Sequence, residues 1–299
     1  MKNSLVKILL PLLLLCIAYN LQAQQDPNYV FYRYTMNVIN PAYAGADGVT
    51  SFTFNLRSQW QGVESAPRTQ TFFASTPFNE RVGLGISAVN DRTFIERQTA
   101  VFLDFSYKLP LSDETDVFFG LKAGGNFFDV NASGLQTFNI VQDPLLRDES
   151  RFNPNIGIGV LLQHESYFVS LSAPRILNTR RFEERDDIVT EATDELHLFL
   201  SAGYNFPFDE LWLFKPSFLV RYVQGAPISA DLTAVFSYNE IVEFGAAYRT
   251  DSAISGLALF RISDWLSAGY AYDSSLRSEL REAGTGTHEV LLKFVIPER

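Results

Sequence analysis

The sequence predicts an all-β chain: a transmembrane antiparallel β-barrel of about fourteen strands, with an N-terminal segment that is periplasmic or lumenal. Three observations carry this prediction. Segments of roughly ten residues alternate apolar with polar side chains, the pattern of a strand with one face in lipid and the other toward a polar interior. Beyond the first residues, no apolar run approaches the ~20 residues a membrane helix needs. The connections also sort by length, every long one falling after an odd-numbered strand, which a soluble sandwich has no reason to do.

Residues 1–23 read as a secretory signal peptide. Lys2 and Lys7 give a positive start, Leu9 to Ala18 form a short apolar run, and Leu21-Gln22-Ala23 ends in a small residue. Leu15 precedes Cys16 where a lipoprotein would need a small residue, so the single cysteine leaves with the leader. The chain from Gln24 therefore has neither a disulfide nor a thiolate metal site. Lys and Arg number 24 against 34 Asp and Glu, a formal net charge of −10, which argues against nucleic acid as a partner. Aromatics reach 14%, with 26 Phe and 13 Tyr, as suits the girdles of a barrel. A soluble sandwich would share that composition, so periodicity has to decide.

Residues 24–48 form a segment of different character. Gln25-Asp26-Pro27 is followed by Tyr29, Phe31, Tyr32 and Tyr34, then by Asn37 and Asn40-Pro41-Ala42-Tyr43-Ala44-Gly45. So many rings are costly to leave in water, and they are expected to pack inside the barrel or along its periplasmic rim.

The barrel spans 49–299. Strands are predicted near 49–60, 69–76, 81–91, 97–109, 116–130, 153–163, 167–173, 195–206, 211–223, 229–237, 240–249, 254–262, 265–273 and 287–296. The fourth sets Val101, Leu103, Phe105, Tyr107 and Leu109 against Asp104, Ser106 and Lys108. The eighth sets Leu198, Leu200, Ala202, Tyr204 and Phe206 against His197, Ser201, Gly203 and Asn205. The last two repeat the pattern, with Leu266, Ala268, Tyr270 and Tyr272 on one face of the first and Val290, Leu292, Phe294 and Ile296 on one face of the second. Tight connections lie at Thr76 to Glu80, Pro110 to Thr115, His164 to Ser166, Pro207 to Glu210, Tyr238-Asn239 and Ser263-Asp264, so these mark the periplasmic end. Long ones lie at Asn131 to Phe152, Pro174 to Asp194 and Ser274 to Gly286, with a shorter one at Gln61 to Arg68. The stretch 178–195 is rich in charge of both signs and reads as a solvated surface loop, with docking of a partner protein as the other reading. Val141, Pro144, Leu145 and Leu146 fit one helical turn, as a plug or as a surface loop.

Chemistry finds little purchase. His288-Glu289 lacks the second histidine of a zinc site, and no other metal-ligand spacing occurs. Gly83-Leu84-Gly85, Gly157-Ile158-Gly159 and Gly284-Thr285-Gly286 lack the full spacing of a phosphate loop and read as small residues in strands and a loop. His197 and His288, each near carboxylates at a strand end, suggest a rim hydrolase only weakly, since their strands are far apart and no G-x-S-x-G turn exists. They read as polar rim residues. No catalytic residue, cofactor or metal is predicted.

The marks Gln25-Asp26-Pro27, Asn40 to Gly45, Arg57-Ser58-Gln59-Trp60-Gln61-Gly62 running into Ala66-Pro67-Arg68-Thr69-Gln70, and Val82 to Gly85 stand in this order along the chain. Arg221-Tyr222-Val223 with Ala226-Pro227, Tyr248-Arg249, Gly269 to Asp273 and His288-Glu289 follow. With these the sequence resembles the PorP/SprF family of type IX secretion system membrane proteins of Bacteroidetes. The resemblance implies a non-enzymatic outer-membrane barrel of the secretion and gliding apparatus. Its implied partners are other secretion subunits and a secreted cargo protein with a C-terminal sorting domain, besides outer-membrane lipid. Asp26, Pro27, Tyr29, Tyr32, Asn40, Pro41, Tyr43, Gly45, Arg57, Trp60, Gly62, Pro67 and Thr69 are the expected partner-binding or plug residues. Trp60 equally suits an aromatic girdle and Arg57 a lumenal lining. The alternative function is a channel for small or hydrophobic solutes.

Overall fold

The computed structural model describes residues 28–132, 148–177, 180–185, 188–193, 196–224, 226–250, 252–277 and 286–297. The strands in chain order are β1 (Thr50–Ser58), β2 (Arg68–Pro77), β3 (Val82–Thr93), β4 (Glu96–Pro110), β5 (Thr115–Val130), β6 (Glu149–His164) and β7 (Tyr167–Ala173). Next come β8 (Arg180–Arg185), β9 (Ile188–Thr193), β10 (His197–Tyr204), β11 (Phe206–Pro207), β12 (Trp212–Val223) and β13 (Ser229–Tyr238). The last are β14 (Val242–Arg249), β15 (Ala253–Ser263), β16 (Leu266–Ser275) and β17 (Thr287–Ile296).

Fourteen of these close into one antiparallel barrel: β1 to β7, then β10, then β12 to β17. The first and last strands seal it, Thr50 opposite Ile296 and Ser58 opposite His288. These strands are the fourteen predicted ones, the largest difference being that β6 begins at Glu149 rather than near 153. The two-residue β11 lengthens the wall beside β12. Strands β8 and β9 form a separate hairpin, so the surface loop expected at 178–195 carries regular structure of its own.

Closure follows from alternation. Along β4, Leu103 is 64% exposed while Phe102 and Asp104 are buried; along β5, Leu121 is 59% exposed while Lys122 is buried. A face that is apolar yet open to the surroundings on every strand requires lipid, and the buried polar face requires a shielded interior. No helix among the described residues is long and apolar enough to cross a membrane; the strands cross instead.

Local chemistry makes the tight turns. Asn79 Oδ1 accepts from the amides of Arg81 and Val82, both at 2.9 Å, and Asp209 Oδ1 does the same for Leu211 and Trp212 at 2.8 Å. Asn239 and Glu240 both have positive φ, 48° and 52°, at the centre of a tight turn in which the Ile241 amide donates to the Tyr238 carbonyl at 2.9 Å and whose twist matches the strands it joins. These turns share one end of the barrel with Thr50 and Ile296. At the other end the wall is uneven: β5 and β6 run 16 residues each, β7 only 7 and β10 only 8.

Candidate functional site

The lumen is filled by residues 28–49, which makes the N-terminal segment lumenal rather than periplasmic. Its three short 3₁₀ turns, Tyr32–Tyr34, Met36–Val38 and Pro41–Tyr43, run from beside the Ser58 end of β1 and the Thr287 end of β17 down to the end with the tight turns. Phe31, Ala42 and Ala44 are 0% exposed. The aromatic run is thus buried at the barrel's centre.

Three apolar contacts receive it. Val30 and Phe31 pack with Val235, Leu257, Ala271 and Leu291. Tyr29, Tyr32 and Met36 meet Phe199 and Leu219. Ala42 meets Phe118 and Leu161. All these wall residues lie on the inward face, where alternation alone predicts polar side chains. They are the sequence signal of a lumenal segment, visible once such inward apolar positions are counted as exceptions needing a partner.

Polar groups fix the register of the segment. Asn40 caps the third turn by accepting from the Ala42 amide at 2.9 Å, while its Nδ2 donates to Ser170 Oγ at 2.7 Å and to the Val160 carbonyl at 3.2 Å. Tyr29 Oη and Thr71 Oγ1 are 2.8 Å apart, Tyr32 Oη donates to Ser217 Oγ at 2.8 Å, and Tyr34 Oη donates to Glu243. Burial pushes the phenols of Tyr29, Tyr32, Tyr34 and Tyr43 above their ordinary range, with Glu243 adding to the effect at Tyr34.

The closest fit is at three wall glycines. A Cβ on Gly83 would lie 2.0 Å from the Ala44 carbonyl oxygen, one on Gly120 would lie 2.1 Å from the Ala42 nitrogen, and one on Gly159 would lie 1.9 Å from Asn40 Oδ1. Gly45 completes the slot: its φ of 69° suits glycine, and its amide donates to Ser75 Oγ at 2.6 Å. Gly83 and Gly159 are strand residues, as the sequence suggests, and their smallness serves the passing backbone.

The outer part of the segment is held by charge. Glu289, 0% exposed, accepts from the amides of Val30 at 2.9 Å and Phe31 at 3.2 Å, from Asn55 Nδ2 at 2.8 Å and from Arg57 Nη1 at 3.0 Å. Arg57 Nη2 also donates to Asp273 at 2.6 Å, and Arg249 bridges Asp231 at 2.6 Å and Asp273 at 3.7 Å. Arg221 lies over the Phe199 ring at 5.5 Å, within electrostatic reach of Asp231. Three arginines thus meet three carboxylates in one buried, charge-balanced array, whose members are expensive to remove singly. Glu289 is therefore no rim residue. His288 points to the outer face beside Tyr270 and His197 points inward, so the two histidines share no site.

Of the predicted site residues, Tyr29, Tyr32, Asn40, Pro41, Tyr43 and Gly45 lie in the lumenal segment, and Arg57 joins it through Glu289. Thr69 is buried in the wall, donating to Asp91 at 2.6 Å. Pro67 is buried just before β2, whereas half-buried Trp60 and exposed Gly62 sit in the β1–β2 loop, apart from the rest. Asp26 and Pro27 lie outside the described residues, as do residues 1–23, the 141–146 turn, Asp194 and Glu195.

Arg57, Arg221, Arg249, Asp273 and Glu289 come from five separate marks of the resemblance and converge here. A family model described as "Type IX secretion system membrane protein PorP/SprF" matches residues 21–294. The chain belongs to the PorP/SprF family. Its family and its fold make this PorP/SprF protein an outer-membrane β-barrel of type IX secretion. No curated protein matches it. Solved structures similar to it include the outer membrane protein Omp33 of Acinetobacter baumannii, at 9% identity and TM-score 0.49, covering 83% of this chain and 99% of that one. The toluene transporter TbuX of Ralstonia pickettii is similar at 11% identity and TM-score 0.48, covering 86% and 90%. A FadL homologue of Pseudomonas aeruginosa is similar at 11% identity and TM-score 0.47, covering 82% and 90%.

Proposed function

We propose that this PorP/SprF protein is a docking scaffold: a non-enzymatic barrel that binds other subunits of the type IX secretion and gliding apparatus together with a secreted cargo protein carrying a C-terminal sorting domain. It assists secretion or surface attachment of that cargo. The filled lumen carries the reading. A conduit needs a continuous wet path, whereas here a hydrogen-bonded segment packs against apolar and glycine positions of the wall, which leaves rims and loops as the working surfaces. The same observation weighs against the solute channel, whose path would open only if the segment left its slot.

Deletion of the gene tests the proposal. The expected outcome is loss of particular cargo from the cell surface, with secretion subunits or one large surface protein co-purifying with the tagged barrel. Normal display of every surface protein, with no paralogue substituting, defeats the reading. Impaired uptake of a small solute with secretion spared replaces it with the channel.

A further inference from the structure

Three arginines stand in one row on the lipid-facing side of the wall, at the Ser58 end of the barrel. Arg68 of β2 is directly opposite Arg92 of β3, and Arg92 is directly opposite Arg97 of β4. All three are exposed, since Thr69, Asp91 and Gln98 beside them turn to the lumen. Neighbouring strands lie about 4.8 Å apart, so the three stems start within about 10 Å of one another. Like charges directly opposite on a ladder repel and destabilise it. None of the three makes an ion pair or a side-chain hydrogen bond among the described residues, although the chain carries a formal net charge of −10. Asp129, the next position of the row on β5, receives the Ser150 hydroxyl at 2.6 Å and pairs with no arginine. The row therefore holds an uncompensated cluster of positive charge, open to an anion from outside the chain.

The rows beneath it give its depth. Gln70, Asn90 and Thr99 come first, with Asn90 Nδ2 donating to Thr99 Oγ1 at 2.7 Å. Phe72, Ala88 and Val101 follow, and then Ala74, Ile86 and Leu103, where the apolar band begins. Two rows are about 13 Å of strand, or about 10 Å along the membrane normal once a tilt near 40° is taken out. The arginines thus sit at headgroup level, directly above an apolar surface.

Chemistry selects the ligand. The guanidinium fork matches phosphate oxygens two at a time, and several forks side by side suit a group with more than one charged oxygen. A free anion gains that contact alone. A lipid with a phosphate head gains it together with the apolar columns of β2, β3 and β4 below. We infer that Arg68, Arg92 and Arg97 bind the phosphate of a lipid headgroup, with the acyl chains of that lipid lying along these columns. The inference is independent of the docking scaffold.

The probe is dioleoyl phosphatidic acid, a bare phosphate on two acyl chains, titrated into the purified barrel in detergent and counted by native mass spectrometry. Expected is binding about tenfold tighter than that of dioleoylglycerol, which has the same chains and no phosphate, and than that of inorganic phosphate. Arg92→Gln, which removes the central fork, should weaken it about tenfold, and Arg68→Gln, Arg92→Gln and Arg97→Gln combined should bring it to the dioleoylglycerol level. Arg81→Gln, in the turn at the other end of β3, should change nothing. Relieving like charge at exposed positions leaves the barrel folded, which an unchanged heat-modifiable gel shift checks. Equal binding of the two lipids makes the surface a plain acyl contact, inorganic phosphate bound as tightly as the phospholipid makes it a free-anion site, and undiminished binding by the combined variant places the site elsewhere. Each of these outcomes overturns the inference.

Discussion

Gly120→Ala is a one-carbon test of whether the lumenal segment and the wall are a matched pair. The new Cβ would start 2.1 Å from the Ala42 nitrogen and 2.4 Å from the Pro41 carbonyl carbon, where ordinary contact begins near 3.4 Å, so the segment's backbone must retreat by more than an ångström. Overpacking of this kind costs about 1–3 kcal/mol. The retreat also strains the two bonds from Asn40 Nδ2 to Ser170 and Val160, each worth about 0.5–1.5 kcal/mol. The sum, about 2–6 kcal/mol, is large enough to unseat the segment while the lipid-facing wall is untouched. Gly256→Ala is the control, because a Cβ there meets nothing within 4 Å. Limited proteolysis of the folded barrel in detergent, paired with urea unfolding, reads both effects. Cleavage within residues 28–49 should appear in Gly120→Ala only. Equal protection in the two variants, with unfolding midpoints that coincide, would refute the idea that the slot holds the segment.

Three other outcomes are expected. Glu289→Ala leaves the Val30 and Phe31 amides and Asn55 without their acceptor and Arg57 with Asp273 alone; it should lower unfolding stability by about 3–5 kcal/mol, and a loss under 1 kcal/mol would contradict the charged clasp. The four buried phenols have folded pKa values raised above the unfolded value of 10.0, so their contribution is complete below that pH and is lost as pH rises past it. Absorbance at alkaline pH should show these four tyrosines ionising only as the barrel unfolds, whereas a single smooth titration of every tyrosine near 10 would argue against burial. Excising the β8–β9 hairpin, which pairs only with itself, should leave the barrel's heat-modifiable gel shift unchanged, since shortening a loop changes closure by well under 1 kcal/mol.

The sequence declares those parts of the fold that repeat. Fourteen alternating segments locate the barrel, because lipid imposes one rule on every strand. The lumenal packing follows no period. Arg57 lies 216 residues before Asp273 and 232 before Glu289, so their meeting is a product of closure and of no local pattern. Gly120 looks like any strand glycine until a backbone is laid across it. Phe199, Leu219 and Leu291 carried a readable hint, being large and apolar on the wrong face, but alternation counts them as noise unless a lumenal partner is supposed. Glu289, read as a rim residue from its place near a strand end, is buried because the segment descends past it.

The carboxylate that clasps the first described residues belongs to the last strand, which also seals the wall against β1. Val30 and Glu289 are 259 residues apart, so a growing or half-inserted chain already offers Thr71 and Ser75 to the segment but lacks the carboxylate that clasps its first residues. Locking of that end is therefore a late event that presupposes a finished circle. A protease-resistant N-terminus becomes a built-in report that assembly is complete, and a truncated or unclosed barrel would betray itself by leaving that end loose.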